Sequence, residues 1–320
     1  MKIVITNESL VNPGDLSWKR LEKFGELVVY STPAGNDEEM IQRSADADIL
    51  IAGARDIPHG LIEACPKLKG IFLLSTGFDA VDLEAARKRG IPVCNSPTYG
   101  TASVGQFAIA LLLAICGNAN YYSDQLHAGI PLNFAEESVG EHRLIELEGK
   151  TMGIIGFGRI GRRVGLIAKA MGMKIIAYDL YECEEGQAIG EYVSLEELIA
   201  SSDVVSIHAA LDDSNRHLIN ADAIAKMKDG VIIINNARGG IIDSKALADA
   251  LISGKVYAAG LDVLEAEPIR PDDPLLTAPR CIITPHISWL SKEARQKMID
   301  GIEESIQAFL DGKPINNVAI

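Results

Sequence analysis

The sequence lacks the features of several protein classes. It contains no low-complexity tract and no run of like charge, which argues against a disordered chain. Its longest apolar run, residues 107–116, is far shorter than the ~20 residues that cross a bilayer, and it predicts a buried helix. The N-terminal stretch MKIVITNE turns polar too early for a signal peptide. We therefore expect a cytoplasmic protein with no membrane attachment.

Cysteine is scarce and its positions show no pattern. The chain has 5 cysteines and no CxxC spacing, so neither a disulfide framework nor a metal site is indicated. Three of them lie in apolar runs, which favours buried, reduced thiols in a cytosolic protein. These three are Cys94, Cys116 and Cys281.

Basic residues are outnumbered, 30 against 44 acidic ones, which gives a formal net charge of -14. Such a field repels polyanions, so binding to nucleic acid or to an anionic membrane is not expected, although a local basic loop can still hold a small anion. The hydrophobic fraction of 48% is ordinary for a globular protein. A length of 320 residues suits two domains, each with its own core.

Short β-branched runs alternate with helix-forming stretches from the first residues onward. Both faces of each run are apolar, which is typical of parallel strands covered by helices on both sides. Residues 16–24 and 82–88 carry helix formers between the first runs. The predicted strands of this first lobe are residues 2–6, 27–30, 48–52, 70–74 and 91–94.

The alternation starts again after a long apolar helix that begins near Thr101 and includes GQFAIALLLAICGNANYYS. Ser194 and Glu197 form a capping-box pattern that predicts the start of a further helix, and residues 244–251 predict another. The predicted strands of this second lobe are residues 151–156, 174–179, 203–208, 231–236, 258–262 and 282–284.

The last helical stretch, residues 292–311, is amphipathic. We expect two doubly wound α/β lobes, with this helix returning to the first lobe. Its apolar residues at helical spacing are Ala294, Met298, Ile302, Ile306 and Leu310.

A GxGxxG loop follows the first strand of the second lobe and precedes a helix, which is the context that dinucleotide binding requires. Gly156 permits the tight turn, Gly158 lets the backbone approach a pyrophosphate, and Gly161 allows close helix–strand contact. The helix N-terminus, which includes Arg159 and Ile160, offers N–H groups and partial positive charge to phosphates. The alternative is that these glycines only turn the chain.

Asp179 lies at the end of the next strand, 18 residues after Gly161. An acidic residue at this point meets the adenine ribose hydroxyls of NAD. The residues that follow include Glu182, Glu184 and Glu185 and no Arg or Lys, so a 2′-phosphate meets repulsion there. NAD is therefore favoured over NADP, unless Asp179 is only a solvated strand end.

Three polar residues follow three later strands, at the edge where open α/β sheets bind ligands. Arg238 can grip a carboxylate with two hydrogen bonds, and His286 is a residue type that exchanges protons near neutrality. Glu267 is the preferred partner for the histidine because it precedes Pro268, although Glu265 is close by. This set suits reduction of a keto acid. A surface salt bridge for the arginine and a buried structural role for the histidine are the alternatives.

These residues and their flanks resemble the D-isomer-specific 2-hydroxyacid dehydrogenase family. The resemblance extends along nearly the whole chain, through STGFDAVDLEAARKRGIPVCN, TASVGQFAIALLLA, GKTMGIIGFGRIGR, INNARGGIIDSKALADAL, AGLDVLEAEP and ITPHISWLSKEA. It implies a Rossmann NAD-binding domain, residues 100–286, inserted into a flavodoxin-like substrate-binding domain, residues 1–99 and 287–320. It also implies a homodimer in which the helix from Thr101 and residues 130–147 contact the second subunit.

The resemblance further implies a role for each site residue. Arg238 anchors the substrate, His286 is the acid and base, and Glu267 is its partner. Further cofactor contacts are expected at Val104, His208, Ala237 and Asp262, with Asp262 near the nicotinamide. The backbone of Ser75, Thr76, Gly77 and Phe78 is expected to bind the substrate carboxylate, and Trp289 to border the substrate. The remaining histidines are expected to be structural or exposed: His59, His127, His142 and His217.

The substrate is the least constrained part of the prediction. The stretch Ala52–Ala54 lacks the basic residue that phosphate-recognising relatives place there, although Arg55 is near. The sequence around Trp289 is similar to that of the family's glycerate dehydrogenases, or hydroxypyruvate reductases. We expect hydroxypyruvate or glyoxylate as substrate. The alternatives are a D-lactate or phosphoglycerate type dehydrogenase and an NAD-sensing, corepressor-like binding protein.

Overall fold

The β-branched runs form the strands of two separate parallel sheets. In the computed structural model, which describes residues 1–133, 135, 140 and 142–319, the chain divides into two units. The first unit comprises Met1–Gly100 and Trp289–Ile320, and the second comprises Thr101–Ser288. The predicted fold class, two parallel-sheet α/β lobes, is confirmed.

The sheet of the first unit has five parallel strands in the order β2-β1-β3-β4-β5, which is the flavodoxin-like order. Its strands are β1 (Lys2–Ile5), β2 (Glu26–Val29), β3 (Ile49–Ala52), β4 (Gly70–Leu73) and β5 (Val93–Cys94). Its helices are α1 (Asp37–Ser44), α2 (Leu61–Ala64), α3 (Leu83–Arg89) and the last helix of the chain, α11 (Lys292–Leu310).

The last helix packs on the first unit's sheet, as predicted. Its face is buried in one hydrophobic cluster with residues of β1, β3 and β4. Leu310, predicted on the same face, is 40% exposed because the helix ends at this residue. The buried residues of the helix face are Ala294, Met298, Ile302 and Ile306.

The sheet of the second unit has seven parallel strands in the order β12-β11-β10-β9-β6-β7-β8. Its strands are β6 (Thr151–Ile155), β7 (Lys174–Tyr178), β8 (Glu191–Tyr192), β9 (Val204–Ile207), β10 (Val231–Asn235), β11 (Val256–Leu261) and β12 (Cys281–Ile283). Its helices are α4 (Thr101–Gly117), α5 (Ala119–His127), α6 (Arg159–Ala170), α7 (Glu184–Gln187), α8 (Leu195–Ser201), α9 (Ala221–Lys226) and α10 (Ser244–Ser253).

Two helix predictions are wrong in detail. Residues 16–24 form only a 3-10 helix, Lys19–Phe24. The long helix from Thr101 is interrupted at Asn118, whose backbone is left-handed with φ 45°, a conformation that asparagine tolerates better than most residues. The Asn118 side chain donates to the backbone oxygens of Ile115 and His142, both at 3.1 Å, and so stabilises the break between α4 and α5.

The structure also bears on disulfide bonds, membrane spans and metal sites. All 5 cysteines are free, and Cys281 is only half-buried. Within the described residues no single helix is long and apolar enough to cross a membrane, while the bent pair α4 and α5 passes that test by length and composition alone. The same residues contain no group of three or more His, Cys, Asp or Glu side chains that could hold a metal ion.

Candidate functional site

The predicted cofactor residues meet at the carboxyl edge of the second unit's sheet. Because all seven strands are parallel, the loops that follow them lie at one edge. β6 pairs with β7 on one side and with β9 on the other, so the strand order reverses beside it. Open α/β sheets bind ligands in the crevice at such a switch point.

The glycine loop connects β6 to α6, and two of its glycines are required by geometry. Gly156 has φ +87°, and a Cβ atom there would overlap the backbone nitrogen of Ala209. A Cβ atom on Gly161 would overlap the carbonyl oxygen of Gly156. Gly158 differs, because a Cβ atom there would have no atom of the described residues within 4 Å apart from its own chain neighbours. The space at Gly158 is therefore open for a ligand.

The start of α6 has no side-chain cap. The first N–H groups of a helix lack intrahelical partners, and here they follow Gly158 directly. Arg159 is exposed and Ile160 is half-buried in this first turn. Free amides beside open space suit the binding of a phosphate group.

Asp179 follows β7 and lies against the glycine loop. One carboxylate oxygen, Oδ2, accepts a hydrogen bond from the backbone N–H of Phe157 at 2.6 Å, and the other accepts from Tyr181 at 3.0 Å. Each carboxylate oxygen can accept more than one hydrogen bond. Asp179 thus keeps the capacity to accept from a ribose hydroxyl while its position is fixed.

A guanidinium that the sequence prediction did not consider lies near this acidic segment. Arg162 of α6 donates from Nη1 to the Sγ atom of Cys183 at 3.0 Å. The pKa of Glu185 is lowered, first by a backbone hydrogen bond, then by the Cys183 side chain and the charge of Arg162. The surroundings of Asp179 are therefore less uniformly acidic than the run of glutamates indicates.

His208 follows β9 and adjoins the glycine loop. A Cβ atom on Gly156 would contact the His208 carbonyl carbon, and the His208 N–H donates to Ile155 at 2.7 Å. Its Nε2 lies 2.8 Å from the Oγ atom of Ser206. Burial lowers the pKa of His208 to about 4, so the imidazole is neutral near pH 7.

Arg238 lies in a turn that Asn235 holds in place. The Asn235 Oδ1 atom accepts from the N–H of Ala237, and its Nδ2 donates to the carbonyl oxygen of Arg238, both at 3.0 Å. Ala237 and Arg238 are half-buried. Gly239 is required next, because a Cβ atom there would overlap the backbone of Leu264. The turn is thereby packed onto the segment after β11.

Asp262 is fully buried at the end of β11 and organises the segment after β12. Its Oδ1 accepts from the Thr284 hydroxyl at 2.6 Å and from the N–H of Ile287 at 2.9 Å, and its Oδ2 accepts from the N–H of Ser288 at 2.9 Å. Its own carbonyl oxygen accepts from the N–H of His286 at 2.8 Å. Asp262 therefore sets the backbone position of His286.

The structure brings together His286 and Glu267. The Nδ1 atom of His286 lies 2.7 Å from Oε2 of Glu267, and both side chains are partly shielded from solvent. The contact fixes the imidazole and directs Nε2, the second ring nitrogen, away from the carboxylate. A histidine held in this way is suited to general acid and base catalysis.

Glu265 makes a different pair, which the sequence prediction missed. Its Oε1 lies 2.8 Å from Nε2 of His217, and His59 similarly lies 3.2 Å from Asp82. From the sequence, both histidines are expected to be structural or exposed, and neither of them is assigned a partner. Their partners are 48 and 23 residues distant in sequence, and only the tertiary fold places them in contact.

The predicted substrate loop follows β4 in the first unit. The Ser75 hydroxyl donates to the carbonyl oxygen of Gly77 at 2.7 Å, and the Thr76 hydroxyl donates to that of Ser96 at 2.8 Å. Asn95 donates to the carbonyl oxygen of Thr76 at 2.7 Å. The loop is thus held by side chains, and Phe78 at its end is exposed.

Two further predicted residues occupy packed positions. Trp289 lies in the first unit, where its ring meets Tyr99 edge to face at 6.2 Å. Val104 is buried in the first turns of α4. Ser103, beside it, donates to the carbonyl oxygen of Ser288 at 2.6 Å, which places the start of α4 at the carboxyl edge of the sheet.

The residues of the second unit fit a dinucleotide. Gly158 leaves room for a pyrophosphate, the start of α6 supplies amides, and Asp179 is placed for a ribose. Asp262 and His286 follow β11 and β12, two other strands of the same parallel sheet, so they lie at the same carboxyl edge as the glycine loop.

Comparisons with known proteins agree with this geometry. A family model described as D-isomer specific 2-hydroxyacid dehydrogenase, NAD binding domain, matches residues 109–288. A hydroxypyruvate reductase from Blautia hydrogenotrophica is 49% identical over 321 residues, which covers 99% of each chain.

Solved structures match over the whole length as well. An acyclic imino acid reductase in complex with NADPH and D-Arg has a TM-score of 0.88 and 28% identity, and the match covers 99% of this chain and 100% of that chain. A D-lactate dehydrogenase from Aquifex aeolicus complexed with NAD and lactic acid has a TM-score of 0.84 and 29% identity, over 98% of this chain and 96% of that chain.

Proposed function

Because this chain belongs to the D-isomer-specific 2-hydroxyacid dehydrogenase family, we propose that it interconverts hydroxypyruvate and D-glycerate with NADH as the reductant. The observation that carries the proposal is the 2.7 Å contact between His286 and Glu267. The substrate follows the Blautia hydrogenotrophica relative, which is a hydroxypyruvate reductase. The chain is an oxidoreductase.

Arg238 is proposed to bind the substrate carboxylate. Its guanidinium carries a permanent charge and a planar fork that matches a carboxylate. Its backbone is fixed by Asn235 on one side and by the packing of Gly239 on the other. In the structure its Nη1 donates to the carbonyl oxygen of Ala237 at 2.9 Å, which keeps the side chain folded over its own turn.

His286 is proposed to move the proton. Its Nδ1 is engaged with Glu267, so Nε2 is the nitrogen that faces the carbonyl oxygen of the keto acid. In the reducing direction Nε2 donates a proton to that oxygen, and in the oxidising direction it takes the proton from the hydroxyl group. NADH, when bound, supplies the hydride. Glu267 orients the ring through its contact with Nδ1, and Asp262 holds the backbone of the same segment.

NAD is proposed as the preferred cofactor. The carboxylate of Asp179 accepts ribose hydroxyls and repels a 2′-phosphate. The guanidinium of Arg162 contacts Cys183, four residues after Asp179, and its positive charge offsets part of this repulsion. The imino acid reductase with a similar structure is a complex with NADPH. We therefore expect NAD to be preferred over NADP without NADP being excluded, because the charge of Arg162 is close to the ribose end of the site.

A small, unphosphorylated substrate is proposed for two reasons. No basic residue occupies Ala52–Ala54, and the wider charge of -14 disfavours a phosphorylated acid. The loop of residues 75–78 stays a prediction as a carboxylate-binding element. The same holds for Trp289 as a residue that borders the substrate.

A cytoplasmic homodimer is the proposed state of the protein. Five free cysteines suit a reducing compartment. Large apolar side chains are exposed near the end of α5 and after it, namely Leu126 at 64% and Leu144 at 66%, which suits an isologous interface. Part of the predicted contact segment, at residues 134, 136–139 and 141, lies outside the described residues.

The proposed function is tested by steady-state rates with a panel of 2-keto acids. The panel contains hydroxypyruvate, glyoxylate, pyruvate, 2-ketoisocaproate and phosphohydroxypyruvate, each with NADH and with NADPH. We expect the highest kcat/KM for hydroxypyruvate with NADH. A higher value for pyruvate or for phosphohydroxypyruvate would assign a D-lactate or a phosphoglycerate type dehydrogenase. Tight NADH binding without turnover of any acid would indicate a corepressor-like binding protein.

A further inference from the structure

Arg295 is a buried arginine near the start of α11. It is 8% exposed, and arginine is seldom buried unless its charge is paired. Its position is unfavourable in a second way, because the dipole of a helix disfavours positive charge near the N-terminus. The proposed reaction makes no use of this guanidinium. Its contacts therefore have to explain why a cation is kept there.

The guanidinium of Arg295 contacts three separate points of the first unit. Nη1 donates to Oδ1 of Asp15 at 2.7 Å and Nη2 donates to Oδ2 at 2.9 Å, which makes a bidentate pair. Nη1 also donates to the carbonyl oxygen of Val11 at 2.9 Å. Nε donates to the carbonyl oxygen of Leu290 at 3.1 Å. One side chain thus joins the connection between β1 and β2 to the segment that precedes α11.

The contact with Leu290 lies four residues after His286 in the chain. Between these two residues the chain passes from the second unit into the first, at the bond between Ser288 and the residue that follows. Before this point the buried carboxylate of Asp262 accepts hydrogen bonds from the backbone of the segment. After it the buried guanidinium of Arg295 holds the backbone in turn. The segment that carries His286 is therefore fixed by a buried charged side chain at each end.

We propose that Arg295 is a positioning residue for His286, an inference that rests on the acid and base role proposed for that histidine. The guanidinium holds Leu290 and so limits how far the segment after His286 can shift, while Asp15 keeps the guanidinium itself in place. Catalysis is sensitive to such shifts, because a displacement of about 1 Å can lower a rate by about 10²-fold. The effect passes through the backbone and requires no contact between Arg295 and the substrate.

Arg43 of α1 provides a matched control in the same unit. Its side chain is 9% exposed, compared with 10% for Arg295. It pairs with Glu39 and donates to the carbonyl oxygens of Thr6 and Thr32. Its described contacts all lie before residue 40 of the chain, far in sequence from His286. Loss of either guanidinium should therefore destabilise the first unit, but only one loss should disturb the catalytic segment.

Hydrogen–deuterium exchange of the full chain, measured by mass spectrometry, tests the anchor without turnover. In Arg295→Met we expect the amides of residues 286–291 to exchange at least about 5-fold faster than in the wild type, because the contact at Leu290 is lost. Arg43→Met should leave the exchange of this segment within about 2-fold of the wild type. Unchanged exchange of residues 286–291 in Arg295→Met, or an equal increase in both variants, would overturn the inference.

Single-turnover kinetics decide whether the anchor serves catalysis. The enzyme–NADH complex is mixed with the acid of the panel that the wild type reduces fastest, and NADH loss is followed by stopped-flow absorbance. In Arg295→Met the rate constant should fall about 10- to 100-fold, because the proton donor is displaced. A purely structural defect would instead lower the amplitude, which reports the folded fraction, and leave the rate constant unchanged. That result in Arg295→Met would overturn the inference, and Arg43→Met should show the wild-type rate constant.

The variant Arg295→Lys separates stability from positioning. An ammonium group can keep the ion pair with Asp15, but it lacks the planar fork that reaches Asp15 and Leu290 together. We expect a Tm near that of the wild type and a rate constant that is still lowered. If Arg295→Met does not fold, Arg295→Lys replaces it, and wild-type exchange or a wild-type rate constant in that variant would overturn the inference. Failure of the proposed function would appear separately, as a wild type that reduces no acid of the panel, and the exchange comparison would still decide whether Arg295 holds the segment.

Discussion

Asp179 is proposed to bind a ribose hydroxyl and to repel a 2′-phosphate, and substitutions can separate these two tasks. Asp179→Ala removes the acceptor for Phe157 and for a ribose, so NADH binding should weaken about 10- to 100-fold. Asp179→Asn keeps an acceptor oxygen and removes the charge, so it should mainly raise NADPH affinity. Dissociation constants for both cofactors test this. Equal NADH-to-NADPH ratios in the wild type and in Asp179→Asn would contradict the proposed preference.

His208 makes stability depend on pH. Its pKa of about 4 in the folded protein lies below the ordinary value of about 6.5, so the unfolded chain binds the proton more tightly. The free energy of unfolding therefore has its full value above about pH 6.5, where His208 is neutral in both states, and it decreases as the pH falls towards 4. At pH 5 the free energy of unfolding is lower by about 2 kcal/mol.

The variant His208→Gln, which has no titrating group, isolates this effect. The difference in Tm between pH 7.5 and pH 5 should be smaller for the variant than for the wild type when both are free of cofactor. The same pH dependence in both proteins would show that His208 is not the group responsible. His127→Gln, at an exposed position at the end of α5, is the matched control.

Some contacts of the site residues can be predicted from the sequence, and others cannot. The sequence distinguishes Glu267 from Glu265 by the neighbouring proline, and the structure places Glu267 against His286. It does not identify His217 as the partner of Glu265, because that contact depends on tertiary structure. The side-chain amide of Asn236, which is buried and has no hydrogen-bond partner among the described residues, cannot be identified from the sequence for the same reason.

The glycine loop, which is proposed to bind the pyrophosphate, offers a matched pair of substitutions. Gly161→Ala should lower both Tm and NADH affinity, because the new methyl group meets the carbonyl oxygen of Gly156. Gly158→Ala should leave Tm near that of the wild type, because the new methyl group meets none of the described residues beyond its chain neighbours within 4 Å, yet it should abolish most NADH binding by occupying the ligand's space. Thermal melts and NADH titrations of both variants check this. Wild-type NADH affinity in Gly158→Ala would contradict the placement of the pyrophosphate.

Regular elements are predictable where local chemistry decides them. Eleven of the twelve strands follow from β-branched runs, to within about two residues at each end. The exception, β8 (Glu191–Tyr192), contains no β-branched residue. The break at Asn118 was missed because the apolar pattern continues through it, while the left-handed residue and its capping contacts depend on residues 142–143.

For the whole molecule, the proposed homodimer predicts a specific sensitivity. Light scattering should give about twice 34.4 kDa for the wild type. Leu126→Asp, at an exposed apolar position of α5, should shift the protein towards the monomer, since a buried charge opposes association. Ile252→Asp, at a position 70% exposed on α10, should not. A monomeric wild type, or equal behaviour of the two variants, would contradict the proposed interface.

The global architecture is only partly determined by patterns in the sequence. Alternation of strands and helices predicts two parallel-sheet lobes, because parallel strands need crossover helices. Strand order does not follow from periodicity, since it depends on which side of the sheet each crossover returns to. The order of the seven strands is a property of long-range packing, whereas the return of α11 to the first unit is among the predictions made from the sequence.

The most direct measurement is the rate of NADH loss with hydroxypyruvate for the wild type, His286→Ala and His217→Ala. Both histidines contact a glutamate at 2.7–2.8 Å, but only His286 is proposed to reach the substrate. We expect kcat to fall about 10²- to 10⁴-fold in His286→Ala, with NADH affinity within a few-fold of the wild type. His217→Ala should remain near wild-type activity. An active His286→Ala, or a wild type that leaves hydroxypyruvate unreduced, would contradict the proposed function.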